Sequence, residues 1–158
     1  MIPKPQSFEE LVDRYGRPWE SSQARNAFEA AHMTLWRSDI WQEKYNRIWR
    51  GPFARIYCNR EIVSLLDQTF VVLDVMGLLE ELKTYDGCWN VRRVRGNETK
   101  WSVHSFGLAL DFNASLNPLG SEPSFTPRFL DLMQACGWTC GARFKRKDGM
   151  HFQWADNC

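Results

Sequence analysis

Two short segments of the chain combine residue types that could bind a metal ion and hydrolyse a bond. They are residues 102–111 (SVHSFGLALD) and residues 148–154 (DGMHFQW). Two imidazoles and one carboxylate come from His104, Asp111 and His151. This set is common at catalytic zinc sites, which leave a fourth position open for water. Asp148 lies three residues before His151, where it could act as a base toward that water.

Side-chain alternation along strands predicts that both segments turn ligand atoms away from the core. In the first segment Leu110 and Phe112 share one face, and Asp111 lies on the other. In the second segment His151 and Gln153 lie opposite two aromatic residues. An aspartate in an apolar setting is costly to bury unless its charge is compensated, as a metal ion would do.

Each of these residues also has an ordinary interpretation when it is taken singly. A lone histidine beside an apolar strand is more often a core or surface residue than a ligand, and Asp148 could be a turn residue before Gly149. The joint occurrence of the residues in order favours the metal site. Gly107 lets the chain bend, so that His104 and Asp111 can converge.

Composition points to one ordinary globular domain. The 158 residues are enough for one sizeable core, and the net charge of +1 gives no reason to invoke nucleic acid. The five cysteines form no CxxC pair, so we expect free thiols rather than a second metal site.

No targeting or membrane segment is expected. Residues 1–10 are polar and lack the apolar region of a secretory signal. The apolar stretch 70–79 is interrupted by Asp74 and Gly77 and is too short to cross a bilayer. We therefore expect synthesis in a cytoplasm and no membrane partner, so that action on an outside target would require release by other means.

Helix signals alternate with short strand signals, which predicts an α+β fold. Predicted helices begin and end at Ser7 and Gly16, at Asn59 and Gly77, and at Thr126 and Gly137. Predicted extended segments are residues 40–57, residues 88–95 after a turn at Asp86-Gly87, and a hairpin over 138–153. Residues 21–37 are predicted to form a second helix or a surface arm.

The two segments resemble the zinc peptidases of the D-Ala-D-Ala carboxypeptidase and L-alanyl-D-glutamate endopeptidase family. Its superfamily includes lysostaphin-type enzymes and the hedgehog signalling domain. The family pattern is SxHxxGxAxD, then DxxH or ExxH and an aromatic residue. The matching residues are Ser102, His104, Gly107, Ala109, Asp111, Asp148, His151 and Phe152. The likeness extends through residues 88–96, which are similar to the family's arginine strand, and through Gly137-Trp138, and weakly back to Cys58-Asn59.

The resemblance implies a small antiparallel sheet with flanking helices, as in hedgehog and D-Ala-D-Ala peptidase domains. It implies a single zinc peptidase domain over residues 1–158, with residues 1–50 as an N-terminal extension or helices and residues 51–158 as the catalytic core. The chain departs from the family at Cys140 and Phe144, where many members carry tryptophan, and at Arg143 in a usually small or polar stretch.

The resemblance also implies roles for individual residues. Zn²⁺ would be the cofactor, held by His104, Asp111 and His151, although manganese or cobalt could fill the same ligands. Asp148 would be the base, and an arginine would stabilise the oxyanion. Arg92 matches the family's arginine best and Arg93 is its rival, because strand alternation lets only one of them face the site. Ser102, Arg93 and Gln153 are candidates to bind substrate, although Ser102 could equally be a turn residue.

The implied substrate is the stem peptide of bacterial peptidoglycan. Both an endopeptidase that cuts L-Ala-D-Glu and a carboxypeptidase that removes terminal D-Ala fit the pattern. An enzyme without a signal resembles a phage endolysin released after membrane permeabilisation, or a virion-associated wall hydrolase, and a monomer is expected. The basic run Lys145-Arg146-Lys147 could favour the anionic wall, but a solvated loop is the more common meaning of such a run.

Two alternatives belong to other classes of protein. One is a zinc-containing binding module without catalysis, as in hedgehog-type domains, and Asp148 and the arginine segment argue against it. The other is a structural phage protein in which zinc only holds the fold. The open fourth coordination position argues against that second alternative.

Overall fold

The computed structural model describes residues 3–37 and 55–158, which form an α+β fold as the sequence predicts. The helices are α1 (Phe8–Tyr15), α2 (Ser22–His32), α3 (Val63–Val75) and α4 (Pro127–Ala135). The strands are β1 (Met33–Arg37), β2 (Arg55–Asn59), β3 (Tyr85–Gly87), β4 (Ala109–Phe112), β5 (Thr139–Cys140) and β6 (His151–Gln153). Short 3-10 turns lie at Arg60–Ile62, Leu79–Glu81, Val103–Phe106, Ala114–Leu116 and Gly141–Arg143.

The helix boundaries follow the predicted capping residues. The Ser7 hydroxyl accepts a hydrogen bond from the backbone N–H of Glu10 at the start of α1, and Gly16 ends that helix. Thr126 caps α4 in the same way. Asn59 caps the 3-10 turn Arg60–Ile62, which continues into α3, so the predicted helix begins with a tighter first turn.

The sheet that carries the two predicted segments is antiparallel, in the order β3-β4-β6-β5. In the pairing of β4 with β6, Asp111 lies opposite His151 and Ala109 lies opposite Gln153. This register brings both segments together on one side of the sheet. Strands β1 and β2 form a separate antiparallel pair.

The other side of the same strands faces an aromatic core. The rings of Phe112 and Phe152 lie 6.1 Å apart, and they contact Phe70 of α3 and Phe129 of α4. The predicted separation of core side chains from ligand side chains is thus confirmed for β4 and β6. All four residues of β4 are buried, including Asp111, which is only 8% exposed.

The first two helices cover the turn Val103–Phe106. Phe106 is fully buried and has ring contacts with four aromatic residues from the N-terminal part of the chain. These residues are Phe8, Tyr15, Trp19 and Phe28. Of the two predicted forms for residues 21–37, the helix is confirmed over Ser22–His32, and strand β1 follows it.

Two predicted local structures are wrong. Residues 88–95 do not form a strand and pair only through a bridge between Arg93 and Trp101. A strand here would need the residues after Trp101 as its partner. Those residues form the turn Val103–Phe106 instead of an extended segment. Asp86 and Gly87, which were predicted to form a turn, are the last two residues of strand β3.

Other expectations fall partly outside the described residues. The segment predicted as extended over 40–57 is described only from Arg55, where it forms β2, and the Gly51-Pro52 turn lies outside the described residues. The predicted hairpin over 138–153 is confirmed as the pairing of β5 with β6. All five cysteines are free, as expected. In the parts of the chain that the structure describes, none of the helices has the length and apolar character needed to cross a membrane.

Candidate metal centre and cleft

His104 is positioned by the 3-10 turn that contains it. The Ser102 hydroxyl accepts a hydrogen bond from the backbone N–H of His104 and so caps the turn. Gly107 ends the turn at φ 66°, in the left-handed region that favours glycine. A Cβ at Gly107 would lie 2.7 Å from the Met33 side chain and 2.9 Å from the backbone nitrogen of Asn59. Glycine is therefore required here both by conformation and by close packing.

His104, Asp111 and His151 converge as the sequence predicts. His104 Nε2 lies 3.1 Å from Asp111 Oδ1 and 3.1 Å from His151 Nδ1. His151 Nδ1 lies 3.2 Å from Asp111 Oδ1. The three atoms thus form a nearly equilateral triangle, and all three residues are buried.

The partners of the outer ring nitrogens select one tautomer for each histidine in its neutral form. His104 Nδ1 lies 2.5 Å from the carbonyl oxygen of Cys88, so this nitrogen carries the proton. Gln153 donates its amide N–H to the carbonyl of Ala155, which turns its Oε1 toward His151 Nε2 at 2.9 Å, so that Nε2 donates. The inner nitrogens then present lone pairs to each other and to the Asp111 carboxylate.

Three acceptors that face one another without a proton between them need a cation. The geometry fits a tetrahedral zinc ion, because ligand atoms at about 2.0–2.1 Å from such an ion lie about 3.3 Å from one another. The observed separations of 3.1, 3.1 and 3.2 Å are close to that value. The donor set of two imidazoles and one carboxylate suits zinc and leaves one position for another ligand.

The pKa values of the three residues are shifted by burial and by their contacts with one another. Burial alone would raise the pKa of Asp111, but the two imidazoles hold it well below its usual range. Burial lowers the pKa of His104, and its contact with Asp111 offsets this only in part. Burial also acts to lower the pKa of His151, but its contacts with Asp111 outweigh burial and leave this pKa raised. The Asp111 carboxylate therefore favours a positive charge at this point of the cluster.

Asp148 carries a buried oxygen that has no partner. Among the described residues its Oδ1 is the one buried side-chain oxygen or nitrogen without a hydrogen bond. The backbone of Asp148 is held firmly, since its N–H donates to Gly141 and its carbonyl accepts from His151. A Cβ at Gly141 would lie 2.5 Å from the Asp148 carbonyl oxygen, so only glycine allows this approach. An orphaned carboxylate oxygen held in this way is suited to accept a proton from a ligand or water.

A cleft of about 330 Å³ opens beside the cluster. Both His151 and Asp148 line it, and so do Arg92, Ser102 and Gln153. Ser102 and Gln153, which are candidates for substrate binding, thus line the cleft. Ser102 also caps the turn Val103–Phe106, and Gln153 also orients His151.

The two candidate arginines differ in environment. Arg92 is half-buried and lines the cleft. Burial lowers the pKa of Arg92, and the carboxylates of Asp111 and Asp148 act in the opposite direction, so Arg92 lies within their field. Arg93 is exposed, and its guanidinium carbon lies 4.5 Å from the centre of the Trp101 ring.

Sequence reasoning missed two groups that hold the site together. The Cys88 carbonyl sets the tautomer of His104, and a backbone atom leaves no signal in residue type. The Ser105 hydroxyl donates to the carbonyl of Arg92 and accepts from its N–H, which ties the arginine segment to the histidine turn. The position of Ser105 next to His104 was the one available signal.

Comparison with known proteins gives one match. Searches of curated proteins and of solved structures found no match. Residues 95–154 match a family model described as D-alanyl-D-alanine carboxypeptidase. The matched segment contains His104, Asp111, Asp148 and His151 and begins just after Arg92. The match supports a peptidase that is like the D-Ala-D-Ala carboxypeptidases.

Proposed function

We propose that the protein is a zinc-dependent peptidase that hydrolyses a peptide bond in the stem peptide of bacterial peptidoglycan. The observation that carries this proposal is the triangle of inward lone pairs on His104, Asp111 and His151, with the orphaned Asp148 oxygen beside the same cleft. The matched family model supports the class of substrate.

His104, Asp111 and His151 would hold the metal ion. A zinc ion bound there supplies Lewis acidity and lowers the pKa of a bound water toward neutrality. The outer contacts to the Cys88 carbonyl and to Gln153 keep both imidazoles in the tautomer that binding requires.

Asp148 would move the proton. As water adds to the scissile carbonyl carbon, the Asp148 carboxylate accepts a proton from that water. It then gives the proton to the leaving nitrogen as the carbon–nitrogen bond breaks, so that one water molecule is consumed and one acid and one amine are formed. The unpartnered Oδ1 is available for this transfer because no group of the described residues occupies it.

Arg92 would stabilise negative charge in the cleft. Its guanidinium lies in the field of Asp111 and Asp148 and lines the space where a substrate would bind. A fixed cation there favours the oxyanion that forms during attack on the carbonyl. Ser102 and Gln153 line the same space and would contact the substrate, and the contribution of Arg93 to substrate binding stays a prediction.

The cellular setting belongs to the same proposal. The protein would act as a monomer and as a single domain on the cell wall, as a phage endolysin or as a virion-associated hydrolase. Both L-Ala-D-Glu endopeptidase and D-Ala-D-Ala carboxypeptidase activity are consistent with the cleft. The description of the matched family favours the carboxypeptidase.

Digestion of purified peptidoglycan, with mass spectrometry of the products, tests the proposal. Zinc-loaded protein is compared with chelated protein and with the Asp148→Asn variant. New amino termini within the stem identify an endopeptidase, and release of free D-Ala identifies a carboxypeptidase. If zinc-loaded protein releases no product, the enzymatic proposal is wrong and a non-catalytic binding module takes its place.

A further inference from the structure

The cleft beside the metal centre has a strongly uneven charge. Its acidic side chain is Asp148, while its cationic side chains are Arg92, Arg95, Lys100, Lys145 and Arg146. The chain as a whole carries a net charge of only +1, so the cations are concentrated here. Within the described ranges, none of these five cations takes part in an ion pair.

Other cations of the same loop are paired. Arg143 forms an ion pair with Asp131 and a hydrogen bond with Gln134. Lys147 pairs with Glu122 at 2.5 Å. Neither residue lines the cleft. In this loop, the cations that lie outside the cleft have carboxylate partners, and the cations that line the cleft have none. A uniformly solvated basic loop does not explain this difference.

The Arg146 guanidinium is held against the backbone of Arg95, and both residues line the cleft. Arg146 Nη1 donates a hydrogen bond to the carbonyl oxygen of Arg95 at 3.2 Å. The same Nη1 would lie 3.1 Å from a Cβ at Gly96, so the guanidinium rests on the backbone of this turn. No other hydrogen bond involves the Arg146 guanidinium in the described parts of the chain, and its remaining N–H groups are available to a ligand.

Arg92 connects this pair to the metal centre. Burial is the main cause that lowers the pKa of Arg92, and the positive charge of Arg95 lowers it further. The carboxylates of Asp111 and Asp148 act on the same group in the opposite direction. The guanidinium of Arg92 thus lies within the field of the metal centre and within the field of Arg95. Arg95 therefore adds to the positive charge around Arg92, and an anionic ligand in the cleft would offset this charge.

We propose that Arg95 and Arg146 form an anion subsite that binds a carboxylate of the substrate away from the scissile bond, so that the preferred substrate is an acidic peptide. This inference rests on the proposed function and adds the class of peptide. Guanidinium groups suit the role because their planar N–H donors can bind a carboxylate through two parallel hydrogen bonds.

Two synthetic stem pentapeptides, which contain both the L-Ala-D-Glu bond and the terminal D-Ala-D-Ala bond, test the subsite. One has a free glutamyl α-carboxylate, and in the other this carboxylate is a primary amide. We expect the wild-type zinc protein to cleave the acid peptide with a kcat/KM about tenfold to a hundredfold above that of the amide. The reason is that the amide cannot form the charged hydrogen bonds between the carboxylate and the arginines. The double variant Arg95→Gln/Arg146→Gln should lose this preference, whereas Arg143→Gln, a matched change outside the cleft, should keep it.

A binding measurement separates this inference from the proposed function. Calorimetry with the zinc-loaded Asp148→Asn protein should show tighter binding of the acid peptide than of the amide, and the two arginine substitutions should abolish the difference. If wild type cleaves neither the peptides nor peptidoglycan, the proposed function is wrong, and the calorimetric comparison still decides the subsite.

Two results would overturn the subsite. One is equal binding and equal cleavage of the acid and amide peptides by wild type. The other is a double variant that treats both soluble peptides as wild type does but binds intact cell walls less. In that second case the cations recognise a wall polymer rather than the peptide carboxylate.

Discussion

His104 and Phe106 belong to the same 3-10 turn, yet they enter two regions of opposite character. His104 lies among buried acceptors, with Asp111 and His151 at 3.1 Å from its Nε2. Phe106 lies among aromatic rings contributed by the first two helices and the segment between them. The acceptor cluster lacks a positive charge, whereas the aromatic cluster is complete as it stands.

The aromatic cluster contributes to the stability of the fold, whereas the acceptor cluster serves the proposed function. Burial of an aromatic side chain such as Phe106 contributes about 1.5–3 kcal/mol. Burial of a carboxylate such as Asp111 costs free energy until a cation compensates its charge. We therefore expect substitutions in the two clusters to change different measured quantities, although the two side chains are only two residues apart.

Removal of a proposed metal ligand should produce the largest effect. In the variant His151→Ala, one of the three inward lone pairs is lost, so zinc should be absent and peptide hydrolysis should fall to background. Metal analysis and product release measure this. The variant Phe106→Leu serves as control and should keep one zinc per chain. A fully zinc-loaded, active His151→Ala protein would show that the cluster is not the metal centre.

Loss of the proposed base should reduce turnover without loss of metal. The variant Asp148→Asn should lower kcat by about 10²–10⁴-fold, because it removes general acid–base catalysis while the ligands stay. Zinc content should be unchanged. The matched control is Asp131→Asn, an exposed carboxylate that pairs with Arg143 and lies outside the cleft. Equal activity of the Asp148 variant and wild type would exclude the proposed proton transfer.

Truncation in the aromatic cluster should act on stability. The variant Phe106→Ala should lower the free energy of unfolding by about 3–5 kcal/mol, because it leaves a cavity among four packed rings. Urea unfolding of the metal-free protein measures this, with Phe106→Leu as the milder control. A loss below about 1 kcal/mol would show that the N-terminal helices do not pack tightly on this turn.

Removal of the partner of His151 should weaken the metal site only partly. The variant Gln153→Leu removes the oxygen that fixes the proton on His151 Nε2, so zinc affinity should fall by about 10–100-fold. Competition with a chromophoric chelator measures this affinity. The control Gln134→Leu changes an amide that lies outside the cleft and should have no effect. An unchanged affinity in Gln153→Leu would mean that the tautomer is fixed by another contact.

Acidification should release the metal gradually. Zinc binding at the proposed site would need a neutral His151, and the raised pKa of this residue means that protons compete at higher pH than at an ordinary histidine. Affinity should therefore be full above that pKa and should fall below it by up to about tenfold per pH unit for this one proton. Chelator competition from neutral pH to about pH 5 follows the change. A pH-independent affinity over this range would contradict the ligand role of His151.

The sequence predicted the elements whose signals are local. Ser7, Thr126 and Gly107 have the conformations that their residue types favour, and the α+β class follows from helix and strand signals in alternation. The convergence of the metal-binding candidates was also predictable, because alternation in β4 and β6 puts Asp111 and His151 on one side.

Long-range packing could not be predicted from such signals. Residues 88–95 have the composition of a strand, but they lie beside a coiled turn and stay irregular. The distinction between Arg92 and Arg93 depends on this irregular backbone and on the position of Trp101. The burial of Phe106 depends on aromatic residues of the N-terminal helices, which are far from it in the sequence. Periodic patterns in the sequence do not predict such contacts.

Zinc titration of the metal-free protein, with hydrolysis of stem peptides recorded at each addition, tests the central claim most directly. We predict that turnover rises in proportion to bound zinc and stops rising at one zinc per chain. Asp148→Asn should bind the same single equivalent without comparable turnover. Full hydrolysis by chelated protein, or no hydrolysis by protein that has bound its zinc, would contradict the account.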